Sequence, residues 1–200
     1  MFDALCSRMP IFLSIVLLLG SCTLLGSNDP DDPEDVTSYF RATLDQEEVW
    51  SGGPDAVFSQ QGPYVWLVIG ADSMYDVGYY RESLSLAGPF EGPGEYILVP
   101  AKYDTGEGGI RTAGASFYES NGDALVASYH ATEDASANNL TITSYDSTTG
   151  ILTGNFRATV VVNEDDRISE PGEPPRQRAD TLQFEEGTFR VKLRDLRKKY

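Results

Sequence analysis

Residues 140–162 read LTITSYDSTTGILTGNFRATVVV and contain the clearest hairpin of the chain. Apolar and polar residues alternate on both sides of the turn segment 146–150, as expected for two paired strands that each have one wet face. In the return strand one face carries Leu152, Phe156, Ala158, Val160 and Val162, and the other carries Asn155, Arg157, Thr159 and Asn163. Gly154 interrupts the apolar face, which predicts a neighbouring ring or a bulge at that point.

The same period of two recurs along most of the chain from residue 37 onward. Strands are predicted at 40–44, 56–58, 64–69, 83–86, 96–99, 110–118, 124–129, 140–145, 151–163 and 181–193. Turn residues separate them, at 52–54 (Gly-Gly-Pro), 88–89, 92–94, 106–109 and 121–122, the last an Asn-Gly pair typical of a type I′ hairpin. No window has sustained helical spacing. The pattern predicts an all-β fold, an antiparallel β-sandwich of roughly 8 to 10 strands, with a closed β-barrel as the alternative.

Three segments repeat one arrangement of an aromatic residue, an arginine and aliphatic residues. They span residues 39–44, 155–160 and 188–193, and in each an arginine follows the ring of Phe40, Phe156 or Phe189. The spacings between them are unequal, which excludes a solenoid repeat. We expect three neighbouring strands of one sheet, with Arg41, Arg157 and Arg190 on its outer face.

The charge balance restricts the partners of the protein. Fifteen basic residues against 31 acidic ones give a net charge of −16. Nucleic acid is therefore not an expected partner, because its affinity for proteins depends on lysine and arginine displacing counterions.

The N-terminal residues have the features of an export signal. Arg8 precedes the nine-residue apolar run 11–19, whereas a membrane-spanning helix needs about 20 residues. The run ends in Leu19-Gly20-Ser21-Cys22, which resembles the bacterial lipobox. That resemblance implies removal of residues 1–21, a diacylglycerol thioether on Cys22, and a protein anchored to a membrane through lipid. The alternative is that Cys22 is an ordinary cysteine following a secretory or buried apolar helix.

Further expectations follow if the chain begins at Cys22. The other cysteine, Cys6, is removed, so no thiol is left for a disulfide or a metal site. By resemblance to the sorting rule of two-membrane bacteria, Thr23 after the cysteine points to the outer membrane. Whether the domain faces the periplasm or the exterior is left open.

The mature chain divides into a tether and one domain. Residues 22–36 comprise the lipidated cysteine and an acidic, proline-rich segment with the properties of a disordered, solvated tether. A calcium loop in this segment is the alternative, although the spacing of an EF-hand is absent. Residues 37–200 form the predicted β-sandwich domain. Its acidic loop 164–179 is expected to be too polar to pack.

These features together resemble a widespread family of uncharacterised bacterial lipoproteins with a single all-β domain. The resemblance rests on the lipobox, the acidic tether, an opening Phe-x-Ala-x-Leu strand that runs to Trp50, the 140–145 hairpin with Gly154-Asn155-Phe156, and the closing 186–189 strand, Glu-Gly-Thr-Phe. It covers residues 37–194. The family has no established activity, so the resemblance implies a fold and a location but no catalytic or ligand residue.

Candidate reaction centres are few. The single histidine, His130, has polar neighbours, and the chain has no Gly-x-Ser-x-Gly motif, so neither a hydrolase triad nor a zinc site is expected. No catalytic residue and no cofactor is predicted. Oxygen-only calcium sites at 104–107 or 165–166 are an open alternative. A pair of carboxylates acting on glycans also stays open, because the sequence cannot select a pair among so many acids.

Exposed aromatic rings are the most plausible ligand-binding groups. Trp50, Trp66, Tyr64, Tyr75, Tyr79 and Tyr80 offer flat faces for stacking on sugars, although most are expected to be core or strand-flank residues. Tyr75, Tyr79 and Tyr80 are the best candidates because they fall in an expected loop. The leading hypothesis is a lipid-anchored, non-enzymatic binding module of the cell envelope with a protein or glycan partner. A glycan hydrolase and a purely structural component are the alternatives.

Overall fold

A computed structural model of the chain describes residues 37–61, 63–74, 79–100, 112–163 and 177–199. Within these ranges the chain forms ten strands and a short 3-10 helix at Leu196–Lys199. The strands are β1 (Tyr39–Leu44), β2 (Glu48–Gln61), β3 (Tyr64–Met74), β4 (Tyr80–Pro89), β5 (Gly94–Val99), β6 (Thr112–Asn121), β7 (Ala124–Ala131), β8 (Asn139–Asp146), β9 (Ile151–Val162) and β10 (Thr181–Asp195). The prediction of an all-β fold is confirmed, and each predicted strand overlaps an observed one.

The described strands belong to one sheet in the order β1-β10-β2-β3-β4-β6-β5-β8-β9-β7. Additional pairings join β1 to β2, β9 to β10 and β6 to β7, so the sheet folds back on itself around a single apolar core. Most pairings are antiparallel, as predicted, but β2 and β10 pair in parallel, and so do β5 and β6. The chain between β5 and β6, residues 100–111, is long enough for the crossover that a parallel pair requires.

The hairpin predicted at 140–162 forms as β8 and β9. Asp146 closes its turn by accepting a hydrogen bond from the Thr148 amide at 2.8 Å, and Gly150 has a φ of +72°. Gly154 lies opposite Phe189 of β10, and a side chain at position 154 would overlap the Phe189 ring. Both predicted reasons for Gly154 are found: the Phe189 ring lies against it, and the register of β8 with β9 shifts between Ile142 and Ser144, which pair with Gly154 and Thr153.

Aromatic rings fill the core. Phe40, on β1, lies 4.9 Å from Phe156 of β9 between ring centroids, and it meets Trp50 of β2 edge-on at 6.1 Å. Trp50 in turn contacts Phe117 of β6 and Phe184 of β10. Since these rings come from strands far apart in the sequence, their burial is what holds the folded-over sheet together.

The turn predicted at Gly52-Gly53-Pro54 is wrong, because β2 runs straight through it. A Cβ atom at Gly52 would lie 2.7 Å from the backbone carbon of Asp72, so the glycine permits close approach of β3. Pro54 lies between the part of β2 that pairs with β1 and the part that pairs with β10, where a missing N–H group is tolerated.

The hairpin predicted at Asn121-Gly122 is confirmed as the connection of β6 to β7, but its turn type is not. The two loop residues are Gly122 and Asp123, and of these only Gly122 has a positive φ, at +60°. A type I′ turn needs positive φ at both central residues.

The prediction for the three arginine-containing strands is confirmed. β10 lies between β1 and β9, and Phe40, Phe156 and Phe189 all point into the core. Arg41, Arg157 and Arg190 alternate with these buried positions and therefore lie on the outer face of the sheet.

Candidate functional site

Two glutamates are buried on the inner face of the fold. Glu82 of β4 is 1% exposed and Glu119 of β6 is 0% exposed, and the two residues are directly opposite each other across the strands. Each is in phase with the apolar residues of its strand, Glu82 with Leu84 and Glu119 with Phe117. In the sequence, a glutamate at a strand position whose neighbours two residues away are apolar could have identified both residues. This signal went unused in the sequence-based predictions.

Glu119 accepts hydrogen bonds at both carboxylate oxygens. Its Oε1 accepts from the Tyr129 hydroxyl at 2.5 Å, and its Oε2 accepts from the Tyr80 hydroxyl. The backbone amides of Gln177 and Arg178 also donate to Oε2, at 2.8 and 3.3 Å. Glu119 therefore fixes the segment that leads into β10.

Glu82 forms a buried ion pair with Arg178. The guanidinium donates to the two oxygens of Glu82 at 2.5 and 3.0 Å, and the indole N–H of Trp50 donates to Oε2 at 2.8 Å. Arg178 continues outward to Glu48, with a second pair of hydrogen bonds at 2.6 and 3.0 Å. The side chain of Arg178 is 17% exposed, so its charge lies at the boundary between core and solvent.

These contacts change the ionisation of the neighbouring groups. The hydrogen bonds from Arg178 lower the pKa of Glu48, against the opposing effect of partial burial. Burial, together with the hydrogen bond to Glu119, raises the pKa of Tyr80, so this hydroxyl keeps its proton and remains a donor. The result is a network in which each oxygen of Glu82 and Glu119 accepts from a protein donor. We name Glu82, Glu119, Arg178, Trp50, Tyr80 and Tyr129 the buried carboxylate cluster.

The prediction that loop 164–179 is too polar to pack is wrong at its C-terminal end. Arg178 is charged, yet it packs against the core because Glu82 supplies its counter-charge. The preceding part of the loop, 164–176, lies outside the described residues, as do both predicted calcium positions, 104–107 and 165–166.

The aromatic residues predicted to bind ligands do not form one platform in the described structure. Tyr79 is 81% exposed, whereas Tyr80 is half-buried and donates its hydroxyl proton to Glu119. Tyr75 lies outside the described residues. Trp50 is buried in the core, in keeping with the expectation that most of these rings are structural.

His130 lies on β7 next to its last residue, and its Nδ1 atom is buried without a hydrogen-bond partner. Its neighbours across the strands are Ser116 of β6 and Val161 of β9. Among the described residues no carboxylate accepts from the buried Nδ1 atom, so the acid that would orient the histidine in a catalytic triad is missing. In the part of the chain that the structure describes, no group of three or more His, Cys, Asp or Glu side chains is placed to hold a metal ion.

The predicted lipidation site lies outside the described residues, and so do Leu19, Gly20 and Ser21. The described ranges include no helix with the length and apolarity needed to cross a bilayer. Comparison of the chain with family models, with curated proteins and with solved structures gives no match.

Proposed function

We propose that the protein is a lipid-anchored, non-enzymatic binding module of the bacterial cell envelope, similar to the uncharacterised all-β lipoproteins noted above. The segment Leu19-Gly20-Ser21-Cys22 supports the anchor, and the acidic segment that follows supports a tether between lipid and domain. The 14 residues from 23 to 36 reach at most ~50 Å when extended. Thr23 favours the outer membrane as the location.

The proposal that the protein is not an enzyme rests on the buried carboxylate cluster, whose carboxylate oxygens all accept hydrogen bonds from protein donors. A general acid or base must reach its substrate directly or through one water. Glu82 and Glu119 are buried, and every one of their oxygens accepts from Arg178, from Trp50, from tyrosine hydroxyls or from backbone amides. The cluster thus supports a structural role, and binding is assigned to the exterior of the domain.

Metabolic labelling with radioactive palmitate tests the anchor. The wild-type chain and a Cys22→Ala variant are expressed in a bacterium with two membranes, and the envelope is fractionated. We expect label in the wild type alone, in the outer-membrane fraction. Equal labelling of both chains, or none in either, would contradict the proposal. Expression of the variant is checked by immunoblot, so that a missing band is not mistaken for a missing lipid.

A glycan hydrolase remains the second candidate because Glu82 and Glu119 are neighbours across two strands. Retaining and inverting glycosidases both use a pair of carboxylic acids, but they hold the scissile bond between them. Assays on fluorogenic glycosides with wild type, Glu82→Gln and Glu119→Gln separate the two functions. Turnover that disappears in both variants, while both remain folded by circular dichroism, would establish the hydrolase and refute the binding module.

A further inference from the structure

The most exposed apolar side chains of the domain lie at one end of the fold. Val49 of β2 is 76% exposed, Met74 of β3 is 78% exposed, and Tyr79, which precedes β4, is 81% exposed. Every other large apolar side chain in the described ranges is 43% exposed or less. Single exposed apolar residues are common on protein surfaces, whereas a group of them in one place is typical of an interaction site. We name Val49, Met74 and Tyr79 the hairpin rim.

Val49 and Met74 lie at the same end of the β2–β3 ladder. The last pair at that end is Gly53 with Asp72, and Val49 comes before Gly53 while Met74 comes after Asp72. Trp50, the neighbour of Val49 on β2, is buried, so Val49 lies on the outer face. Met74 is on the same phase of β3 as the exposed Asp72. Both apolar side chains therefore project from the outer face where this pair of strands ends.

Tyr79 lies close to Met74. Met74 is directly opposite Arg81 across β3 and β4, and Tyr79 is two residues before Arg81. Positions related in this way across paired strands are about 7–8 Å apart. The Gly122 amide donates to the Tyr79 carbonyl at 2.8 Å, which attaches this part of the chain to the β6–β7 turn. Such attachment reduces the conformational entropy that Tyr79 would lose on binding.

This end of the domain is opposite to the one at which the chain enters it. β1 begins at Tyr39, which is paired with Arg190 near the end of β10, and it runs towards the β1–β2 turn at 45–47. β2 runs away from that turn and β3 returns to it, so the connection from β3 to β4 falls at the same end. A tether that joins the domain before Tyr39 therefore leaves the hairpin rim free to meet a partner.

The hairpin rim has acidic surroundings. Eight acidic residues and two basic ones lie in the turns and strand ends at this end of the domain, which are 43–50, 72–74, 79–82, 119–125 and 177–183. The basic residues are Arg81 and Arg178, and Arg178 is already bound to Glu48 and Glu82. In the described ranges, four of the acids have no lysine or arginine nitrogen within 4 Å, namely Asp45, Glu47, Asp72 and Asp123. Uncompensated negative charge therefore surrounds the apolar group.

This charge selects the kind of partner. A second copy of the chain carries the same net charge of −16 and is repelled, and a membrane surface with anionic lipids is repelled as well. A protein surface with basic side chains around an apolar patch complements both features of the rim. The opposite potentials attract the partner, and the apolar centre, once desolvated, supplies the affinity. Tyrosine and methionine are also enriched at protein interfaces.

We propose that the hairpin rim binds a basic protein. Tyr79 and Met74 pack into an apolar patch of the partner with Val49 beside them, and the surrounding carboxylates face its lysines and arginines. This inference rests on the proposed function, since it names the partner class of the binding module.

Isothermal titration calorimetry tests the inference with the full chain in micelles of a zwitterionic detergent. The probe is cytochrome c, a small basic protein whose exposed haem edge is an apolar patch ringed by lysines. Cytochrome c with acetylated lysines is the comparison, since acetylation removes the charges and leaves the apolar patch. The variants are Met74→Ser and Tyr79→Ser. The matched control is Tyr39→Ser, which removes an exposed ring at the opposite end of the domain.

We expect the wild type to bind cytochrome c with an affinity that falls as salt is added, and to bind the acetylated protein at least about tenfold more weakly. Met74→Ser and Tyr79→Ser are each expected to weaken binding of cytochrome c about fivefold or more, the effect of removing an apolar residue from the centre of an interface. Tyr39→Ser is expected to change binding less than about twofold. Both rim variants are expected to keep the urea midpoint of the wild type, because the two side chains are largely exposed.

Three outcomes overturn the inference. The first is no binding of cytochrome c by the wild type. The second is equal binding of native and acetylated cytochrome c, which would show that charge does not select the partner. The third is an unchanged affinity in Met74→Ser and Tyr79→Ser, or an equal loss in Tyr39→Ser, which would assign binding to a general attraction and not to the rim. Palmitate labelling and the glycoside assays are independent of all three, so failure of this inference is distinguishable from failure of the proposed function.

Discussion

Replacement of Arg178 by methionine gives the sharpest test of the buried carboxylate cluster. The change keeps most of the aliphatic stem and removes the cation that contacts Glu82, whose side chain is 1% exposed. A buried carboxylate that loses its partner typically destabilises a protein by about 3–5 kcal/mol. The pair with Glu48 adds little, about 1 kcal/mol or less, because the Glu48 side chain is 45% exposed. We therefore expect Arg178→Met to lower the free energy of unfolding by about 3–5 kcal/mol.

Urea unfolding followed by tryptophan fluorescence measures this loss, since Trp50 donates to Glu82 and reports on the cluster itself. Two controls separate the contributions. Glu48→Gln removes the exposed partner of Arg178 and is expected to cost about 1 kcal/mol or less. The double variant Glu82→Gln with Arg178→Met removes both buried charges and is expected to recover part of the stability, because a buried neutral amide costs less than a buried unpaired charge.

The reasoning is refuted by either of two results. If Arg178→Met changes stability by less than about 1 kcal/mol, the buried pair does not hold the segment before β10 in place. If Glu48→Gln lowers the free energy of unfolding as much as Arg178→Met does, the stabilisation comes from the exposed pair of Arg178 with Glu48 and not from the buried pair with Glu82.

Three further predictions follow from local geometry. Gly154→Ala places a methyl group against both the Thr141 carbonyl oxygen of β8 and the Phe189 ring, and it should destabilise the domain by about 1–3 kcal/mol in urea unfolding; an unchanged midpoint would contradict this packing. Asn138→Ala removes the buried amide that accepts from the Thr159 N–H group at 2.6 Å, with an expected loss of about 2–3 kcal/mol by thermal unfolding; a loss below about 1 kcal/mol would show that solvent satisfies these groups. The lowered pKa of Glu48 contributes stability that is present above its ordinary value of 4.5 and is lost as the pH falls through the folded-state pKa. Acid titration of stability should consequently be less steep in Glu48→Gln than in the wild type, and identical profiles would exclude this contribution.

The sequence by itself determined the strands of this protein. Alternation with a period of two is a local property, so Phe156, Ala158 and Val160 could be assigned to one face without any knowledge of their partners. Gly154 was informative for the same reason, since a missing side chain within an apolar face implies that something else fills the space. Its predicted neighbour, a ring, is Phe189.

Only the tertiary structure decided which strands meet and which charged residues are buried. The Gly-Gly-Pro segment of β2 was predicted as a turn because its signal is local, whereas its actual cause is the close approach of β3 and a change of partner from β1 to β10. The pairing of Arg178 with Glu82 joins residues that are 96 positions apart. No local pattern specifies such a pair, because a buried charge is stable only when the whole fold brings its partner to it.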